Sequence, residues 1–121
     1  EFFDFYYKTI RLTPVWVCPT RAFRKDASFD LYRMDPETLY VNFGFWDVIR
    51  GRKRLPAGFY NRHVERKVAE LGGMKSLYSD SYYSPGEFWR LYNKPAYDAL
   101  KRKYDPHGLF KDLYVKCVLH E

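Results

Sequence analysis

Two tyrosines and an aspartate recur at every second position in one short segment of the chain. Tyr78, Asp80 and Tyr82 fall within residues 77–82, which we predict to form a strand, so that all three side chains point to one face. A row of phenol, carboxylate and phenol can line a substrate pocket or relay a proton, which makes these residues candidate catalytic groups. The same spacing is also typical of a half-exposed strand that turns its polar face to water. The spacing alone leaves both interpretations open.

A second group of candidates lies on two earlier predicted strands. Trp16 and Cys18 alternate along the first strand and therefore share a face. We expect Asn42 to lie beside them on the next strand, which also carries Phe43. We interpret these four residues as lining a substrate pocket. The alternative for Cys18 is a buried, inert thiol, because no histidine or lysine is placed to activate it.

Near the end of the chain, Lys116 and Cys117 are candidates for contact with a cofactor phosphate. A solvated helix face is the alternative interpretation of this pair. The sequence contains no glycine-rich phosphate loop, so we expect no dinucleotide to be held by this chain alone. The three histidines and two cysteines show no metal-ligand spacing, and we predict no metal site.

Composition excludes several classes of protein. Aromatic residues make up 21% of the 121 residues, which excludes a disordered chain and exceeds what so small a core hides. No apolar run reaches the roughly 20 residues that a membrane-spanning helix needs. The net charge of +6 includes an Arg- and Lys-rich segment over 50–54, which we expect to be an exposed loop suited to anionic lipid headgroups. A solvated basic surface is the alternative interpretation of this charge.

Apolar spacing and cap residues predict the elements that position these candidates. Ser84-Pro85-Gly86-Glu87 reads as a capping box with proline at the first helical position, and Tyr83 and Phe88 occupy the hydrophobic-staple positions. Gly72 and Gly73 suit the end of the helix before it. The predicted order is a helix over 1–10, strands over 15–18 and 39–48, a helix over 60–71, a strand over 77–82, a helix over 85–104 broken at Pro95, a turn over 105–108 and a last helix through Phe110, Leu113, Tyr114 and Cys117.

This order predicts an α+β fold, an incomplete ferredoxin-like antiparallel sheet with helices packed on one face. It corresponds to a βαββαβ unit that lacks its first strand. Because that strand is central, its absence exposes unpaired backbone edges. We therefore expect the 121-residue chain to self-associate.

Several segments together resemble one enzyme family, in order and over nearly the whole chain. They resemble the C-terminal part of FAD-linked oxidoreductases of the vanillyl-alcohol-oxidase superfamily, in the branch of the delta-24-sterol reductases and their bacterial lipid-reducing relatives. The segments are Thr13-Pro14-Val15-Trp16-Val17-Cys18-Pro19, Leu39-Tyr40-Val41-Asn42-Phe43-Gly44, Leu77-Tyr78-Ser79-Asp80-Ser81-Tyr82 with Glu87-Phe88-Trp89, Lys103-Tyr104-Asp105-Pro106 and Leu113-Tyr114-Val115-Lys116-Cys117.

The resemblance implies that residues 1–121 are a single C-terminal cap or substrate domain, with the N-terminal FAD-binding domain absent from this chain. It implies FAD as cofactor, NADPH or NADH as electron donor, and a lipid substrate whose carbon–carbon double bond is reduced, either a sterol or a methylene fatty acyl chain. The expected partner is the enzyme's own FAD domain, and the expected location is cytoplasmic with contact to a membrane surface. We expect this piece alone to be inactive.

A small basic module with a ferredoxin-like fold, binding RNA or an anionic membrane, is the alternative. Phe43-Gly44-Phe45 on a strand suggests the aromatic face of an RNA-recognition motif. The residues before Phe43 match that motif poorly, so we expect no nucleic-acid partner.

Overall fold

The computed structural model of the chain describes residues 1–26, 29–51 and 54–121, which form two compact units. The first unit comprises Glu1–Phe29 and Arg33–Leu55, and the second comprises Asp30–Tyr32 and Pro56–Glu121. The elements in chain order are helix α1 (Phe2–Thr9), strands β1 (Trp16–Thr20) and β2 (Tyr40–Gly44), helices α2 (Phe59–Glu70), α3 (Pro85–Leu91) and α4 (Lys94–Tyr104), and a terminal π-helix (Val115–Leu119).

The first unit contains an antiparallel ribbon of β1 and β2. Their register pairs Cys18 with Asn42 and Val17 with Phe43. Because directly paired residues share a face, Cys18 and Asn42 lie on one side of the ribbon, and Val17 and Phe43 lie on the other. Both predicted strands are confirmed, although β2 ends at Gly44, short of the predicted bound at residue 48.

Helix α1 packs on this ribbon through aromatic rings. The Phe2 ring lies 4.8 Å from the ring of Phe43, and the buried Tyr6 ring lies 4.6 Å from that of Phe45. The Tyr6 hydroxyl donates to the Leu12 carbonyl at 2.8 Å, so its polar end is satisfied inside the packed face. The predicted N-terminal helix is therefore confirmed, and its aromatic stripe packs on Phe43 of β2 and on Phe45 just after the strand.

The core of the second unit is a cluster of Tyr83, Phe88 and Tyr92, and Phe88 is completely buried. The predicted capping box is present, because the Ser84 side chain accepts from the Glu87 amide and the Glu87 carboxylate accepts from the Ser84 amide. The Tyr83 and Phe88 rings meet edge to face at 6.4 Å, as the hydrophobic staple predicts. Local cap chemistry thus fixes where α3 begins and brings its apolar side into the core.

The predicted helix boundaries around this core are confirmed. Helix α2 ends in a Schellman-type motif, in which Gly72 has φ +71° and the Gly73 amide donates to the Val68 carbonyl at 2.8 Å. The break expected at Pro95 separates α3 from α4. Asn93, in a left-handed conformation, caps α4 by accepting from the Ala96 amide.

The predicted third strand is wrong. Residues 77–82 form an irregular loop, hereafter the 77–82 loop, and the sheet has two strands in the described parts of the chain. The physical reason is that side chains satisfy its backbone polar groups. Lys75 donates to the carbonyls of Ser79 and Asp80, and Glu65 accepts from the Tyr82 amide, so these groups need no neighbouring strand.

The last predicted helix is confirmed in part. Leu113, Tyr114 and Cys117 pack against the core cluster, whereas Phe110 lies before the helix and is exposed. The Asp105 carboxylate accepts from the amides of Leu109 and Phe110 and holds this stretch in a turn. Side-chain capping therefore competes successfully with extension of the helix toward its N-terminus.

The α+β class with an incomplete antiparallel sheet is confirmed. The predicted strand order fails at its third member, and a ferredoxin-like connection has no counterpart in the described residues. Of the predicted basic loop over 50–54, Arg50 and Arg54 are exposed, and residues 52–53 lie outside the described residues.

Candidate functional site

The 77–82 loop presents two of the three predicted catalytic side chains to the surroundings. Tyr78 is 84% exposed, and Asp80 is also exposed. Ser81, by contrast, is fully buried. The loop therefore has a buried anchor and an exposed outer side, although it is not the strand that the sequence predicted.

Lys75 holds the loop from one side. Its ammonium donates to the carbonyls of Ser79 (3.0 Å) and Asp80 (2.7 Å) and to the Ser81 hydroxyl (2.8 Å). The backbone of Lys75 is itself fixed, because the Tyr92 hydroxyl donates to its carbonyl at 2.5 Å. Lys75 thus links the core cluster to the loop, and Leu77 of the loop also packs against the cluster.

A buried carboxylate holds the loop from the other side. Glu65 on α2, whose side chain is completely buried, accepts from the Tyr82 amide at 2.8 Å and from the Arg62 guanidinium at 2.7 Å. Arg62 also binds Glu87 at 2.8 and 3.0 Å. The network therefore connects the loop to the capping box that begins α3 (Ser84).

The Tyr82 ring is fixed by a glycine. Gly58, at the N-terminal cap of α2, has φ +71°, and a Cβ atom placed there would lie 2.4 Å from the Tyr82 ring. The ring thus packs directly on the bare backbone. Tyr82 therefore shapes the loop, while Tyr78 and Asp80 are exposed.

The network also sets the proton affinities around a hollow of about 350 Å³ lined in part by Arg62, Glu65, Tyr83 and Glu87. Burial, reinforced by the Glu65 charge, raises the pKa of Tyr83 to about 12. The Ser84 amide, followed by Arg62, lowers the pKa of Glu87 to about 2. Around neutral pH these groups are a neutral phenol and a carboxylate, and they stabilise the scaffold without titrating.

Sequence reasoning missed Lys75, Arg62 and Glu65. A weak signal existed for the last two, because Arg62 and Glu65 have the i, i+3 spacing of a helical ion pair. That spacing does not predict burial, since most such pairs lie in solvent.

The predicted pocket residues are divided between the two faces of the ribbon. Trp16, Cys18 and Asn42 share a face, as predicted, whereas Phe43 lies on the opposite face against Phe2. One pocket wall therefore cannot contain all four. Pocket-lining roles for the first three stay a prediction.

The Trp16 ring lies over Gly44, where an added Cβ would be 2.9 Å from a ring carbon. The opening left by the glycine is therefore filled by the paired tryptophan of β1. Trp16 remains 55% exposed, so its outer side is available for contact.

Within the first unit, a hollow of about 370 Å³ lies beside α1. The four predicted pocket residues are not among its described lining residues, which are Phe3, Tyr6, Tyr7, Arg11, Leu12, Thr13 and Val15.

The two cofactor candidates point in different directions. Lys116 is exposed, whereas Cys117 packs against the core cluster. A contact with a phosphate stays a prediction for Lys116. The position of Cys117 favours a packing role.

Residues 1–26, 29–51 and 54–121 contain neither a metal-binding cluster nor a membrane-spanning helix. No group of three or more histidine, cysteine, aspartate or glutamate side chains there is arranged to hold a metal ion. None of the helices found there has both the length and the apolar character needed to cross a membrane.

Comparison with known proteins supports the resemblance that the sequence motifs indicate. The chain is similar to delta(24)-sterol reductases over about nine tenths of its length, which confirms the resemblance to the sterol-reductase-like family of FAD-linked oxidoreductases. No protein-family model matches it, and no solved structure matches it significantly.

The individual relatives come from distant organisms. The delta(24)-sterol reductase of Pisum sativum is 25% identical over 126 residues, covering 91% of this chain and 22% of the relative. The human delta(24)-sterol reductase is 27% identical over 107 residues, covering 88% of this chain and 20% of the relative. A delta(24)-sterol reductase homolog of Caenorhabditis elegans is 23% identical and covers 96% of this chain. The chain thus spans about a fifth of the length of these relatives.

Proposed function

We propose that this chain is the C-terminal cap part of a flavin-dependent oxidoreductase that reduces a carbon–carbon double bond of a lipid. The observation that carries the proposal is its similarity to delta(24)-sterol reductases over about nine tenths of its length. FAD would supply the hydride chemistry at the alkene, and NADPH or NADH would be the electron donor. The substrate is a sterol, or a methylene fatty acyl chain as in the bacterial branch, and the enzyme meets it at a membrane surface.

In this proposal the cap supplies substrate contacts, and FAD is held mainly by the other domain. The described residues do not fit a phosphate cradle. The three glycines with positive φ have structural tasks: Gly58 accommodates the Tyr82 ring, Gly72 ends α2, and Gly108 closes the turn after Asp105. Lys116 is the exposed side chain that we propose for a contact with a flavin phosphate.

Tyr78 and Asp80 are the side chains that we propose to meet the substrate. Both are exposed on a loop whose backbone is held from two sides, so they are presented on a fixed frame. Tyr78 forms a wall beside the alkene, and Asp80 orients the substrate or a water molecule that delivers the proton. Tyr82 supports the loop from behind through Gly58.

The test uses the complete gene product. Its absorption spectrum after gel filtration should show bound flavin, and the reduced flavin should be reoxidised by a Δ24 sterol or by a 10-methylene fatty acyl phospholipid. The lipid that reoxidises the reduced flavin shows whether the substrate is a sterol or a methylene fatty acyl chain. A colourless protein, or a reduced flavin that neither lipid reoxidises, would contradict the proposal.

Variants then test the loop residues. Tyr78→Phe and Asp80→Asn should slow flavin reoxidation by the lipid about tenfold or more, which is a modest share of what positioned acid–base groups contribute. Flavin reduction by the nicotinamide should be unchanged in both. Tyr104→Phe, another strongly exposed tyrosine, is the matched control and should react normally. If both loop variants show a normal rate of flavin reoxidation, Tyr78 and Asp80 do not take part in the reaction with the lipid.

The 121-residue chain provides a complementary measurement. Mixed with FAD and passed through gel filtration, it should emerge without flavin and show no reductase activity. Retention of the yellow colour would contradict the assignment of FAD binding to the other domain.

A further inference from the structure

Lys75 binds the 77–82 loop through three hydrogen bonds of its side chain. Its three ammonium protons find three acceptors, the carbonyls of Ser79 and Asp80 and the hydroxyl of Ser81. A lysine ammonium has three donors and no acceptor, so its capacity in this loop is fully used.

Two other contacts hold the loop: Leu77 packs against the core cluster, and the Asn61 side chain donates to the Asp80 carbonyl at 3.4 Å. Lys75 differs from them because its ammonium joins Ser79, Asp80 and Ser81 at one point. Two carbonyl dipoles and a hydroxyl oxygen converge on one point, and without a cation their partial negative charges would repel each other. Ser81 also donates to the Ser79 carbonyl at 3.3 Å, a long contact that cannot replace the ammonium. Tyr78, almost fully exposed, contributes no apolar anchor.

We propose that Lys75 is a positioning residue, which fixes the 77–82 loop in one conformation and thereby directs Tyr78 and Asp80 toward the substrate. The consequence for turnover rests on the proposed function, whereas the consequence for the loop does not. With the ammonium removed, the loop samples several conformations, and only the productive fraction reacts.

The charge on Lys75 is part of this role. The groups that interact with it electrostatically and favour its charged form are Glu65 on α2, Asp80 on the loop and Cys117 on the terminal π-helix. Burial nevertheless lowers the pKa of Lys75 below the usual lysine range. At alkaline pH the neutral amine keeps two donors for three acceptors, so the loop loosens.

The first experiment measures the loop directly. Hydrogen exchange of the complete gene product is followed by mass spectrometry on a peptide covering 77–83, with a peptide covering 95–104 in α4 as reference. Lys75→Met should increase exchange of the loop peptide, including the Tyr82 amide, by about tenfold or more, because charged hydrogen bonds are lost. The α4 peptide should be unchanged. Lys111→Met, at an exposed lysine, is the control.

The second experiment measures turnover. Lys75→Met should lower the rate of flavin reoxidation by the lipid and leave flavin reduction by the nicotinamide unaltered. Lys75→Arg keeps a positive charge to higher pH, so it should restore part of the rate and shift its alkaline decline upward. A merely structural lysine would not move that pH profile.

The outcomes separate the two proposals. Unchanged loop exchange in Lys75→Met would overturn the positioning role, whatever the enzyme does. Faster loop exchange in a protein without lipid reductase activity would support the role of Lys75 in the loop and contradict the proposed function. If Lys75→Met does not fold, Ser81→Ala, which removes one acceptor, takes its place and should give a smaller increase in loop exchange. No increase in Ser81→Ala would then overturn the role.

Discussion

The buried carboxylate of Glu65 allows a quantitative test of the second unit. Replacement by glutamine keeps the shape of the side chain and removes its charge. The native carboxylate serves the Arg62 guanidinium at 2.7 Å and the Tyr82 amide at 2.8 Å with separate oxygens. Glutamine has a single acceptor oxygen, so its NH2 group must face one of these two donors.

The magnitude follows from burial. Removing one partner of a buried ion pair costs about 3–5 kcal/mol of unfolding free energy. Arg62 retains its contacts with Glu87, so we place Glu65→Gln below this range, at about 2–3 kcal/mol. Glu70→Gln on the same helix is the matched control. Glu70 pairs with Lys67 at the surface, and its loss should cost no more than about 0.5 kcal/mol.

Urea unfolding followed by circular dichroism measures both changes. With a slope of about 1.5 kcal/mol per molar urea, Glu65→Gln should lower the unfolding midpoint by about 1.3–2 M, whereas Glu70→Gln should lower it by no more than about 0.3 M. A Glu65→Gln protein that does not fold beside a folded control would also support the argument. Equal, small shifts in both variants would refute it, since Glu65 would then behave as a solvated carboxylate.

Further predictions concern single residues of the same unit. Gly58→Ala should destabilise the protein by about 2 kcal/mol or more in thermal unfolding, because it combines a positive φ with a clash against Tyr82, whereas Gly86→Ala, with open space around it, should stabilise helix α3 by about 0.5–1 kcal/mol. The two substitutions should change the unfolding free energy in opposite directions. Equal changes would contradict the argument that Gly58 is required by its positive φ and by the Tyr82 ring. Phe88→Ala, at the centre of the core cluster, should cost about 3–5 kcal/mol in urea unfolding, and a loss below about 1 kcal/mol would mean that the cluster is not the core. The folded pKa of Glu87 is about 2, below its unfolded value, so its contribution is complete above about pH 4.5 and is lost as the pH falls toward 2. Allowing for partial exposure, acid titration of stability should lose on the order of 1–2 kcal/mol in this window, and Glu87→Gln should flatten it.

The sequence alone determined the elements whose signals are local. The capping box at Ser84 satisfies its own backbone groups, and Gly72 provides the left-handed residue that ends α2. The alternation of residues in β1 and β2 correctly predicted that Trp16, Cys18 and Asn42 share a face. Each of these depends on residues within a few positions or on the period of a single strand.

Only the tertiary structure decided the conformation of residues 77–82. Their alternating pattern suits a strand, but a strand needs a partner for its backbone groups, and here Lys75 and Glu65 supply the hydrogen bonds instead. The sequence also did not predict the burial of Glu65. A glutamate on a helix is normally exposed to water unless a specific hydrogen-bond network surrounds it. The family motifs thus named Tyr78 and Asp80, while their exposure on a loop braced from two sides depends on contacts that no local pattern encodes.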